Sequence, residues 1–427
     1  MNTRRALMLS AALLALTTGT AFAQGGRTTV DFYYPVSASG PIAQIVQDMI
    51  RDFEAETPDV KINAVYAGTF DDVLAKSLTA NKAGNPPAMA HILTVQLPTL
   101  LEEDALVALE DIPGVGDTSW TKNFFPALMR NSMFEGKTYG LPMQRSTQIW
   151  YWNKDAFREA GLDPERGPRN WDEVVEFGKK LVKRDERGNV SRWGIVIPSS
   201  LTPYWSLQSF TYQAGSDISV SEKQVAFNTP EAVKALSWWR DLGAVHKIMP
   251  TGVVEWGTAP RDFLDGKTAM LMTTTGNLGF FRANAKFEFG AAPLPAGTRA
   301  GTPTGGGNLY IFKKAPREQQ LAAAKFAKWF ASPQRAAEWA VKTGYIAVVP
   351  AAYDTPMMKE YVAKFPQYLV ARDQLQTAIR ELSTFRFQEV RQAIEPAIQS
   401  VMTGEKQPAQ ALADAQRAAE AVLRPYR

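Results

Sequence analysis

Arg391 is the residue whose surroundings most demand a chemical explanation. In "TFRFQEVRQAIEPAIQSVMTG", Phe387, Val390, Ile394, Ile398 and Val401 share one helix face at ~100° per residue. On that count Arg391 falls within about 60° of the stripe's centre, while Arg386, Glu389, Gln392 and Gln399 point away. A guanidinium at the edge of an apolar face must snorkel to water or find an anion. Two readings follow: an intramolecular ion pair, or a bidentate clamp on a phosphate or carboxylate. Pro396 predicts a kink or break in the same helix.

Gly305, Gly306 and Gly307 stand directly before the strand-like run "NLYIF". Glycine tolerates φ > 0 and lets another group approach the main chain, which suits a phosphate loop, a tight turn or a bound solute. A nucleotide loop is excluded, because no Lys-Ser/Thr follows and the run leads into a strand rather than a helix N-terminus. Gly266-Lys267-Thr268 in "DGKTAM" fails the same test, since Arg261 stands where that loop needs its first glycine. Tyr204 and Trp205 lie in the polar, Pro-containing "SSLTPYWSLQ" and read either as packing residues or as the wall of a cleft. Trp150-Tyr151-Trp152 and Trp238-Trp239 read as core or lobe-interface packing.

Signals for catalysis are thin. His91 and His246 are the two histidines, and neither has another within metal-ligand spacing. Neither H-E-x-x-H nor G-x-S-x-G occurs. With no cysteine, disulfides, thiolate nucleophiles and Cys-bound metals are excluded. Paired carboxylates stay open among 43 acidic residues. No catalytic residue, metal site or cofactor is therefore assigned.

The elements that must position these residues read as α/β. "TTVDFYYP" (28–35) is a buried strand, and Ile42, Ile45, Val46, Met49, Ile50 and Phe53 follow at helical spacing. "DVKINAVY" alternates as a second strand, completing a βαβ unit of the kind that builds parallel sheets. A helix from about Phe70 to Ala83 leads through "GNPPAMAHILT" into another strand. "STQIWYWNKDAF" reads as a strand running into a helix. Asn170 with Glu173 predicts a capping box, and Ser332, Pro333 and Gly344 bracket a further helix. The last ~90 residues look largely helical, punctuated by Gly404 and Pro408.

At 427 residues, 45% hydrophobic and 21% charged, the chain is expected to form two lobes with substantial cores. Residues 1–23 read as a cleaved signal peptide: Arg4 and Arg5, an apolar run from Ala6 to Leu16, then Ala21 and Ala23 before Gln24. Without those two arginines the 47 basic residues become 45 against 43 acidic, a charge of +2. That balance offers no electrostatic case for nucleic acid or an anionic membrane. A soluble, exported, periplasmic protein is expected.

The motifs "FEAETPDVKINAVYAGTFDD", "AGNPPA", "WYWNKDAFREAGLDP", "FLDGKTAM", "GGGNLYIF", "ASPQRAAEWAVKTGYIAVVPAAYD" and "SVMTGEKQPAQAL" cover nearly all of the mature chain. In them the sequence resembles the extracytoplasmic solute-binding proteins of ABC importers, in the maltose-binding-like group, and within it the glycerol-3-phosphate branch. The resemblance implies a two-lobe type II binding-protein fold, each lobe a mixed, mostly parallel sheet flanked by helices, with ligand between the lobes. It implies lobe 1 at 24–143 plus 270–320 and lobe 2 at 144–269 plus 321–427. Ser146, Gly306, Tyr345 and Arg391 occupy the branch's contact positions with the expected residue types, so that Gly306 would let the main chain approach the solute, Gly305 and Gly307 would ease a turn, and Arg391 would clamp a phosphate. Phe70 stands where the branch has a tyrosine, Thr94 where it has a glutamate, and Thr274 where it has a serine. The implied function is binding of a small anionic solute, sn-glycerol 3-phosphate or a glycerophosphodiester, for delivery to membrane permease subunits, by a monomer without enzymatic activity. Rival readings are a binding protein for a sugar or another organophosphate, phosphonate or sulfonate, held with stacking from Tyr204 or Trp205, and a secreted hydrolase.

Overall fold

The computed structural model describes residues 26–35 and 42–427. The expected signal peptide lies outside the described residues. The opening unit follows the βαβ expectation, with β1 (Thr28–Pro35), α1 (Ile42–Glu56), β2 (Val60–Gly68), α2 (Phe70–Lys82) and β3 (Met89–Leu93). α1 buries the six apolar residues that helical spacing selects. Thr69 starts α2 with a complete capping box: its side chain accepts from Asp72 N, and the Asp72 carboxylate accepts from Thr69 N.

Next come β4 (Gly140–Asn153), α3 (Trp171–Leu181), β5 (Val190–Val196), α4 (Pro203–Ala214), β6 (Thr268–Thr274) and β7 (Thr302–Ile311). α5 (Arg317–Phe330), α6 (Pro333–Thr343), α7 (Phe387–Met402) and α8 (Pro408–Leu423) complete the main elements. The expected box at α3 is only half formed. Asn170 Oδ1 accepts from Glu173 N at 2.8 Å, but the Glu173 carboxylate turns to Arg169 N at 2.9 Å and to the Arg166 guanidinium at 2.8 Å. The charged partner is the stronger attraction for that carboxylate. α7 runs through Pro396 without the break that was one of the two expected outcomes. Pro396 and Gln392, whose carbonyl loses its helical partner there, are both exposed, so water can replace the missing bond.

Among the described residues the sheet has ten strands: eight along the path β2-β1-β3-β7-β4-β6-β5 and then the short strand Lys183–Arg184, and two off it, Phe289–Ala292 on β4 and Ala378–Ile379 on β7. It is mixed rather than mostly parallel. β1 pairs in parallel with β2 and β3, and β6 with β5, but β7 runs antiparallel to both β3 and β4, and β4 antiparallel to β6. β4 organises the whole molecule. Its 14 residues are all buried, those within 140–147 pairing with β7 and 148–152 with β6. One strand thus enters two cores and changes partner between Thr147 and Gln148.

The first core draws mainly on Val30 to Leu141 and Leu309 to Ala378, the second mainly on Trp150 to Met249 and Leu382 to Leu423. Packing therefore assigns residues 322–378 to the first core, although the resemblance had put everything after 320 in the second lobe. The cause is long-range packing: α5 presents Phe326 to Phe32 of β1 at 6.1 Å and to Phe53 of α1 at 5.1 Å. After residue 320 the chain returns to the second core only at Leu382.

Candidate ligand-binding cleft

Between the cores, where β4 changes partner, lies a cleft of about 410 Å³. That is within the usual size for a small-molecule site. Phe70, Ser146, Tyr204, Trp205, Thr274, Gly306, Tyr345 and Arg391 all line it. Thr94 does not. It is buried behind the wall and its hydroxyl donates to Glu381 Oε2 at 3.2 Å.

The glycines lie inside β7 and make no turn. Across the β4 ladder Gly305 faces Ser146, Gly306 faces Arg145 and Gly307 faces Gln144, with the register slipping just after Gly307. A Cβ on Gly305 would come within 2.5 Å of the Trp205 ring. Gly306 has φ +96°, and a Cβ there would collide with the Gln144 carbonyl oxygen. The main chain is bare because an indole and a neighbouring strand press on it, and Gly306 remains as cleft floor. Beneath it, buried Arg145 donates to Gly305 O (3.0 Å), Leu128 O (2.8 Å), Asn308 Oδ1 (3.1 Å) and Thr304 Oγ1 (3.1 Å). Burial among neutral acceptors lowers its pKa to about 10, so it stays a cation at neutral pH.

α4 starts at Pro203, which places Tyr204 and Trp205 in its first turn facing the cleft. Trp256, from a loop, stands 6.2 Å from Trp205 and continues the aromatic wall. Thr274 Oγ1 accepts from Gly276 N at 3.1 Å and so caps the short helical turn that follows β6. Tyr345 follows the left-handed Gly344 that ends α6, and its ring rests on Gly276.

Arg391 is engaged on every side. Its Nε donates to Glu395 at 2.9 Å, its Nη2 to Leu201 O at 2.9 Å, and its Nη1 to both Asp71 oxygens at 3.2 and 3.3 Å. Gln388 of the same helix donates to Asp71 at 3.0 Å. Asp71 belongs to α2 and the first core, whereas Arg391 and Gln388 belong to α7 and the second, so these bonds cross the cleft. The ion-pair reading of Arg391 is what the structure displays, at a place where a ligand anion could compete for the same guanidinium. Burial works against the Arg391 charge, but Glu395, Tyr204 and Asp71 raise its pKa above the usual arginine value. Burial raises the Glu395 carboxyl while Arg391 opposes that rise.

Glu381 is among the cleft residues that the sequence reading missed. Its side chain accepts from Tyr204 OH at 3.0 Å and from Thr94 Oγ1 at 3.2 Å. Asn131 grips its backbone through both N–H and C=O, at 3.0 and 3.1 Å, and Gln208 grips Leu382 N at 2.9 Å and Arg380 O at 3.0 Å. Burial pushes the Glu381 carboxyl up to about 7, opposed by the Tyr204 hydrogen bond, the Arg145 charge and Thr94. A carboxylate thus stands against Thr94, although that position itself carries none. Nothing around "IRELSTF" signals this, because the neighbours of Glu381 come from residues 94, 131, 204 and 208. Trp256, in the glycine-flanked "VVEWGTAP", is the one missed wall residue with a visible cue, an aromatic in a polar loop.

Two cores sharing one sheet, with a cleft where the shared strand changes partner, define a two-lobe type II periplasmic binding protein fold. The family model "Bacterial extracellular solute-binding protein" matches residues 48–367, and the chain belongs to that family. The chain is 28% identical over 413 residues, 93% of each sequence, to the sn-glycerol-3-phosphate-binding periplasmic protein UgpB of Escherichia coli strain K12. Among solved structures, UgpB from Mycobacterium tuberculosis in complex with glycerophosphocholine superposes with a TM-score of 0.83 at 26% identity, covering 94% of this chain and 100% of that one. The cyclic alpha-maltosyl-1,6-maltose binding protein from Arthrobacter globiformis gives 0.78, also at 26% identity, with 94% and 100% covered. Among the described residues no helix is long and apolar enough to cross a membrane.

Proposed function

We propose that this chain is the periplasmic substrate-binding component of an ABC importer for a small anionic solute, sn-glycerol 3-phosphate or a glycerophosphodiester. The observation that carries the reading is Arg391, a cleft guanidinium whose Nη1 is bound only to the half-exposed Asp71. A phosphate that takes the place of Asp71 gains a bidentate partner held rigid by Glu395 and Leu201. Full-length similarity to UgpB supports the same ligand class. Binding closes the lobes on the solute, and the closed form is what the permease subunits receive. Glycerol-type hydroxyls meet Ser146, Thr274, Tyr345 and the Gly306 main chain. The protein acts as a monomer, carries out no covalent step and needs no cofactor.

The test is a thermal-shift and calorimetric screen of residues 24–427 against glycerol 3-phosphate, glycerophosphocholine and maltose. A ligand at 100 times its Kd stabilises the fold by ~2.7 kcal/mol. Arg391→Ala should cost the phosphate ligand ~2–5 kcal/mol of binding. Unchanged phosphate affinity in that variant refutes the clamp. A second reading, sugar binding, draws on the aromatic wall of Trp205 and Trp256 and on the sugar-binding neighbour. Maltose binding that survives Arg391→Ala would select it.

A further inference from the structure

We infer that Glu381 is a specificity-determining binding residue, its carboxylate accepting hydrogen bonds from hydroxyl groups at the uncharged end of the solute. The inference rests on the anion reading above and adds what recognises the other end of the same ligand.

Glu381 lines the cleft yet is only 5% exposed. A buried carboxylate ordinarily has an ion-pair partner. Here its two oxygens accept from neutral hydroxyls, and it forms no salt bridge among the described residues. An ionised carboxylate offers about four acceptor directions, and Tyr204 and Thr94 occupy one on each oxygen. Acceptor capacity is left over on the cleft side.

Position favours a hydroxyl-bearing occupant. Tyr204, Arg391 and Glu381 line the same cleft, and the Tyr204 hydroxyl donates to Glu381 at 3.0 Å. A solute whose anion sits on Arg391 therefore has Glu381 within the same cleft to receive its other end. A second anionic group there would meet a carboxylate, and a plain alkyl end would leave its acceptors unused. Hydroxyls satisfy them. The carboxylate is also preorganised, since the side-chain amides of Asn131 and Gln208 clamp the backbone on both sides of it.

The test separates hydroxyl recognition from anion recognition by using glycerol 3-phosphate and propyl phosphate, which share the phosphate and differ in the hydroxyls. Calorimetry on the mature wild-type chain at pH 8, where the Glu381 carboxyl is ionised, should give a preference for glycerol 3-phosphate of about 10- to 100-fold. In the isosteric Glu381→Gln variant that preference should fall to within about 3-fold, with propyl phosphate affinity nearly unchanged. Glu381→Asp, which withdraws the carboxylate by one methylene, should lose most of the preference as well. An undiminished preference in Glu381→Gln, or an equal loss for both phosphates, overturns the inference while leaving the anion reading intact. If wild type binds neither phosphate, the anion reading fails and this inference falls with it.

Discussion

Replacing Glu381 with glutamine should alter how stability depends on pH, even without ligand. The carboxyl is pushed up to about 7 by burial, from an ordinary value of 4.5. Below pH 4.5 it is protonated in both folded and unfolded chains and contributes no difference. Between pH 4.5 and 7 the unfolded chain releases this proton while the folded chain holds it, so native stability falls as pH rises. Above about pH 7 both forms are ionised and the loss is complete. At 1.36 kcal/mol per pH unit, the full effect is roughly 3 kcal/mol. The groups that face Glu381 are Tyr204, Thr94, Arg145 and Tyr310, and the tyrosines stay protonated and the arginine charged through this window. Glu395, also raised to about 7, and Asp217, raised to about 6, bend the curve the same way, so the difference between proteins is the measurement. Urea unfolding of wild type and Glu381→Gln at pH 5, 6, 7 and 8 should show the variant gaining on wild type by up to about 3 kcal/mol. A difference that stays flat across that range would refute the reasoning, because it would mean Glu381 ionises in the folded state as easily as in water.

Asp71→Asn removes the carboxylate that competes for Arg391. With Asp71 half-exposed, the pair is worth on the order of 1 kcal/mol or less, so phosphate affinity should rise up to about 5-fold, more at low salt. Weaker binding in a titration of that variant would show that Asp71 helps hold the ligand. Gly306→Ala forces a side chain onto a residue at φ +96° against the Gln144 carbonyl. Chemical denaturation should find it destabilised by about 2 kcal/mol or more. Gly136→Ala makes the comparison, since Gly136 also has positive φ but open space around it, and should lose about 1 kcal/mol. Similar losses at both positions would remove the steric argument for Gly306.

Local physics made much of this molecule legible from the chain. The apolar spacing of α1 and α7, the βαβ opening and the helix stop at Gly344 depend on neighbours within a turn or a strand, and the structure has them. Arg391 was conspicuous for the same reason: a charge at the edge of an apolar stripe is visible from its own helix. Its partner was not, because Asp71 lies 320 residues away in the chain. The glycines show the boundary best. Sequence showed that the backbone at 305–307 had to be bare, and only the tertiary structure revealed that the cause is Trp205, Gln144 and His91 pressing on β7, with no turn at all. Partner exchange along β4, the mixed strand directions and the allegiance of residues 322–378 to the first core were likewise settled by long-range packing. Glu381 belongs wholly to that second category. Its chemistry comes from hydroxyls 177 and 287 residues distant and from burial that no window of sequence contains. Composition, helical periodicity and backbone punctuation act over short distances and are written in the chain, whereas desolvation and charge pairing act through space and exist only once the lobes have met.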